Sequence, residues 1–225
     1  MEVPQGDKMK GTVCLYEGIG SMFLLLAINL SASSGHGATV ISIFIFAAII
    51  LFGGISGAHF NPAVTTGVFV YLPEKGKNAP FYALILLSQI LGATIGVMLS
   101  VLCAYSMQIT DPFTGFKQNF GTVGIAELCP LELADANPIT NHNSGGQSIP
   151  NLTHCKAAYP GKPILVEAIG TFIFVTLILN VKFRNGHSDI MNSLAVSLAL
   201  YGCIGITKES GSALNPAVGM VQTIF

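Results

Sequence analysis

Three long stretches of the 225-residue chain, 18–73, 78–110 and 190–207, contain no Asp, Glu, Lys or Arg. Nothing else in the sequence limits its fold so strongly. A helix on the surface of a soluble domain carries charge on its outward face, and soluble domains average roughly 25% charged residues. Here the share is 9%, against 51% hydrophobic. One large water-soluble core is therefore excluded, and the chain reads as an all-α membrane protein whose first partner is the lipid bilayer. A net charge of −1 argues against nucleic acid as a partner. The stretch carrying Lys8 and Lys10 runs directly into an apolar segment long enough to stay as a span, so no cleavable leader is evident.

Crossing a bilayer as helix takes about 20 apolar residues. Spans are predicted near 11–31, 37–55, 80–105, 163–181 and 190–207. Segments 56–72 and 209–225 are shorter and broken by Gly and Asn-Pro. Helix from Asn61 to Leu72 rises only roughly 18 Å, about half of a 30 Å hydrocarbon core. Both segments are read as re-entrant half-helices. If the spans alternate, Lys8, Lys10, Lys75, Lys77, Lys182 and Arg184 share one side. The positive-inside rule makes that side, and the N-terminus, cytoplasmic. Loop 106–162 then lies outside, which suits a glycosylation sequon at Asn151. The loop is polar and rich in Asn, Pro and Ser, and no structure is assigned to it. Cys129 and Cys155 share this loop and can pair there if it faces an oxidising compartment. Cys14, Cys103 and Cys203 sit in apolar stretches, as small hydrophobes do.

The chain also repeats itself. SGAHFNPAV at 56–64 and SGSALNPAV at 210–218 agree at Ser, Gly, Asn, Pro, Ala and Val. A second echo, EGIGSMFL at 17–24 and EAIGTFIF at 167–174, keeps Glu, Ile and Gly. One duplicated unit explains both: repeat one over 9–105, the outer loop 106–162, and an incomplete repeat two over 163–225, together a single domain over 1–225. Each unit reads span, span, half-helix, span. Three crossings is an odd number, so the second copy enters from the opposite face, and the half-helices meet near the midplane.

Pro62 and Pro216 suit the first helical position, where a missing N–H is harmless. Asn61 and Asn215 then fall at the N-caps, their side-chain oxygens accepting from first-turn N–H groups and their amide NH2 groups left to donate. Ala63 and Ala217 are small enough for the two ends to approach. Facing N-termini add partial positive charge at the centre of the path. A passing water can accept from both amides, while a proton or metal cation meets a barrier.

On these motifs the sequence resembles the aquaporin and aquaglyceroporin family (major intrinsic proteins), over nearly the whole chain apart from the long loop and the end. Glu17 and Glu167 in the first helix of each half, and SQILGA at 88–93 with Gln89, add to the likeness. The resemblance implies an inverted-repeat fold of six spans and two half-helices, and a homotetramer with a pore in each subunit. It implies that Glu17 and Glu167, with Gln89, support the re-entrant loops, which gives a reason to keep a carboxylate in lipid. It also makes His59 a pore-lining residue. The function it implies is a passive channel for water and small neutral solutes, with no cofactor and no metal, in a plasma or vacuolar membrane. The remaining His142, His154, Cys129 and Asp135 share one loop without metal or nucleophile spacing, so no enzyme is expected.

The sequence departs from the family in two places. The family's narrowest ring includes an arginine where this chain has Val218, and the other ring positions fall on Ile41, Cys203 and Ser212. Val removes a fixed cation and five donors from that ring, so a wider and less polar constriction is expected. Gly219 stands where glycerol-conducting members carry Asp. The repeat also calls for a sixth span after Phe225, so the expectation is a C-terminally truncated channel. Alternatives are a glycerol, urea or ammonia-type solute channel, a nonconducting scaffold of the same fold, and an ion-coupled transporter, which would need a coupling site beyond Glu17 and Glu167.

Overall fold

The computed structural model describes residues 7–32, 35–72, 75–106, 161–183, 188–208 and 210–224. Asn151, Cys129, Cys155 and nearly all of the loop 106–162 lie outside the described residues. Among the described residues seven helices follow in order: α1 (Asp7–Ser31), α2 (Gly37–Ser56), α3 (Pro62–Tyr71), α4 (Lys75–Ser106), α5 (Gly161–Phe183), α6 (Asp189–Ile206) and α7 (Pro216–Ile224). Five of them are long and apolar enough to cross a membrane. The other two, α3 and α7, have 10 and 9 residues. Laid end to end they reach about 28 Å at 1.5 Å per residue, close to the ~30 Å hydrocarbon thickness. Two half-helices thus share one crossing.

Two helices begin four or five residues earlier than the spans predicted from sequence. α1 starts at Asp7 and α4 at Lys75, with Pro80 inside α4 rather than at its start. A proline there lacks one N–H and crowds the carbonyl four residues back. That carbonyl belongs to Gly76, and both residues are exposed. α6 is capped by Ser188, whose Oγ accepts from Met191 N at 3.4 Å, and carries Asp189 in its first turn, where the helix dipole favours an anion.

The polarity runs opposite to that of a soluble domain. Leu15, Phe23, Ile43, Leu51, Leu87 and Phe172 project from the outer faces, while Glu17, Asn29, Gln89, Ser100 and Thr207 are buried inside. Such an outer belt belongs against lipid, where it needs no burial. α1 packs most closely on α4, through Gly92 and Gly96: a Cβ on Gly92 would stand 1.9 Å from Gly18 O. α1 also packs on α2, α5 on α6, and α2 crosses to α6 between the halves.

Candidate functional site

The two half-helices meet through their Asn residues. Asn61 stands at the N-cap of α3 in extended conformation, and its Oδ1 accepts from Ala63 N at 2.8 Å. Asn215 does the same for α7, accepting from Ala217 N at 3.0 Å. The Pro that follows each Asn takes N1, so the first available N–H is at N2, where the cap bond falls. Each amide NH2 then crosses to the other half: Asn61 Nδ2 donates to Leu214 O at 2.9 Å, and Asn215 Nδ2 to Phe60 O at 2.8 Å. One of the two hydrogens of each amide is therefore used between the halves.

Ahead of each Asn the backbone takes the same unusual path. Gly57, Ala58 and Phe60 have positive φ, and so do Gly211, Ser212 and Leu214. Left-handed conformations at non-glycine residues cost about 1–3 kcal/mol each. A carboxylate holds each loop in place. Glu17, 0% exposed, accepts from His59 N at 3.0 Å and Phe60 N at 2.8 Å. Glu167 accepts from Ala213 N at 3.1 Å and Leu214 N at 2.9 Å, and also from Ser210 Oγ at 2.6 Å. Gln89 Nε2 adds a third donor to Glu17 at 2.9 Å and bonds Thr65 Oγ1 at 2.8 Å.

A cavity of about 830 Å3 runs past these groups. Its wall includes His59, Asn61 and Asn215, together with Ile41, Ser212 and Val218. Pro62, Ala63, Pro216 and Ala217 form the first turns of α3 and α7 beside it. Cys203 is buried in the apolar cluster, while its neighbours Leu200 and Ile204 line the cavity. Sequence reasoning missed Thr65, which has no counterpart in the second repeat, and Lys182. Lys182 reads in sequence as one of a pair of loop cations with Arg184, but its position in the last turn of α5 turns it inward to the cavity. Phe60 and Leu214 were also silent in the sequence. Their partners are the Gly of the second echo, since a Cβ on Gly20 would meet the Phe60 ring at 1.9 Å, and one on Gly170 would meet Leu214 at 2.9 Å and Thr207 at 2.2 Å.

Apolar spans around two opposed, asparagine-capped half-helices define a multi-pass integral membrane protein with a cavity beside the asparagines. The chain belongs to the major intrinsic protein family, whose sequence model matches residues 8–225. It is 28% identical over 174 residues to "Probable aquaporin AqpM" of Archaeoglobus fulgidus, covering 77% of this chain and 55% of that protein. It is 27% identical over 176 residues to "Glycerol uptake facilitator protein-like 6" of Lactiplantibacillus plantarum, covering 77% of this chain and 63% of that one. A "Probable glycerol uptake facilitator protein" of Thermotoga maritima is 26% identical over 222 residues, covering 92% and 80%. The matched part of the chain thus spans a little over half the length of the first of these relatives.

Proposed function

We propose that the chain forms a passive channel for water and small neutral solutes, in a homotetramer whose subunits each carry a pore. The observation that carries this reading is the reciprocal pair of bonds, Asn61 to Leu214 O and Asn215 to Phe60 O, at the wall of the cavity. Two amides held at a helix–helix junction offer donors to water without offering a site for a cation. Glu17 and Glu167 act as braces, keeping each strained loop in the shape that aims its carbonyls and its Asn. Ile41, Ser212 and Val218 line the cavity at the positions expected for the constriction, and none of them carries a charge. On the loop charges, the N-terminus faces the cytoplasm, in a plasma or vacuolar membrane.

Relatives bear both the aquaporin and the glycerol-facilitator names, and the neutral wall at Val218 favours a pore that admits more than water. Stopped-flow light scattering on proteoliposomes separates the two. Fast shrinkage in sucrose, followed in glycerol by shrinkage and re-swelling, is the outcome expected here. Shrinkage in glycerol without re-swelling would restrict the pore to water. Shrinkage no faster than that of empty liposomes would overturn the channel reading in favour of a nonconducting scaffold.

A further inference from the structure

Two of the described residues lining the cavity carry formal charge, Lys182 in the last turn of α5 and Asp189 in the first turn of α6. Asp189 is exposed at the rim, where solvent and salt screen it. Lys182 reaches further in, with its Nζ 2.6 Å from His59 Nε2. An ammonium can only donate, so Nε2 accepts and Nδ1 carries the ring proton. That N–H then donates to Thr65 Oγ1 at 3.2 Å. Thr65 also accepts from Gln89, which bonds Glu17. The lysine head is thus fixed by a chain of bonds ending in the carboxylate that holds the loop. Among the described residues, one of its three donors is used, on His59. Elsewhere on the cavity wall Ile41, Ser212 and Val218 supply no charge at all.

Resting on the channel reading above, we propose that Lys182 is the specificity-determining cation of this pore. Held in the lumen by His59, it excludes ions of its own sign and donates to passing neutral solutes. A fixed charge between low-dielectric walls acts over a longer distance than one in water, so the ammonium adds to the barrier set by the facing helix N-termini.

Urea and guanidinium have nearly the same planar shape and differ in charge, which makes them the probes. The full chain is reconstituted, urea permeability is read by stopped-flow in liposomes, and guanidinium conductance is read across planar bilayers. The wild-type protein is expected to pass urea and to conduct guanidinium no better than bare lipid. Lys182→Met and Lys182→Gln should each raise guanidinium conductance about tenfold or more, a barrier change of about 1.4 kcal/mol, while Lys182→Arg keeps it at background. Circular dichroism identifies which variants are folded, and either neutral variant is enough for the comparison. Guanidinium conductance in the wild-type protein, or a folded neutral variant that stays at background, would overturn the proposal and leave Lys182 as a mere brace between α5 and the loop. If wild-type liposomes pass neither water nor urea, the channel reading itself falls. If they pass urea and guanidinium alike, only the role of Lys182 falls.

Discussion

At the scale of single residues, the most constrained groups are the two carboxylates. Three N–H donors converge on Glu17, two of them from backbone in left-handed or adjacent conformations. Removing the acceptor leaves buried donors without partners, at about 1–3 kcal/mol each. Glu17→Ala should therefore lower stability by roughly 2–6 kcal/mol, from two orphaned backbone N–H groups. Glu17→Gln should do less harm, because its carbonyl oxygen still accepts, although its NH2 then faces the Gln89 amide. Thermal melts in detergent read the order wild type, Gln, Ala. Equal melting of all three would show that the loop holds its shape without the carboxylate. Glu167→Ala should follow the same pattern, since Ser210 Oγ and two backbone N–H groups depend on it.

At the scale of elements, each re-entrant loop is clamped between its carboxylate and a glycine three residues further along the same helix. A Cβ at Gly20 would lie inside the Phe60 ring, 1.9 Å from its nearest atom. Gly20→Ala must push Phe60 out of its buried seat, an overpacking that typically costs about 1–3 kcal/mol. Leu is smaller and more flexible than Phe, and a Cβ on Gly170 approaches Leu214 only to 2.9 Å, so Gly20→Ala with Phe60→Leu should recover part of the loss. Melting temperatures of the single and double variants check this, and a double variant no better than Gly20→Ala would place the clash elsewhere. This pair also shows what was legible in the sequence. The echo of Glu-x-Ile-Gly and of Asn-Pro-Ala gave the repeat, the half-helices and their caps, because duplication writes the same contact twice. Lys182, by contrast, has no echo, and its direction depends on where α5 ends relative to the His59 loop. Spacing along one helix carries no information about that contact between elements. The early starts of α1 and α4 were hidden for a related reason, since charged and proline residues mark where an apolar span ends, not where the helix does.

At the scale of the whole molecule, the proposed channel would have three stations in series: Lys182 with His59, the paired asparagines, and the uncharged wall at Ile41, Ser212 and Val218. In a single-file path the highest barrier governs flux, so a barrier removed at one station can be restored at another. Val218 is 1% exposed and faces the cavity, so a long side chain introduced there has the lumen to extend into. Val218→Arg should narrow that station and add five donors and a fixed charge. Glycerol and urea permeability are then expected to fall about tenfold or more, roughly 1.4 kcal/mol of barrier, with water permeability falling least because water is the smallest solute. The series argument goes further with Lys182→Met and Val218→Arg together. If exclusion of cations depends on one fixed charge anywhere along the path, the double variant should return guanidinium conductance to background although Lys182 is gone. Planar-bilayer conductance of the four proteins, wild type, both singles and the double, decides it. Conductance in the double variant equal to that of Lys182→Met would mean that the ammonium must stand beside His59 to act, and that the two stations are not interchangeable.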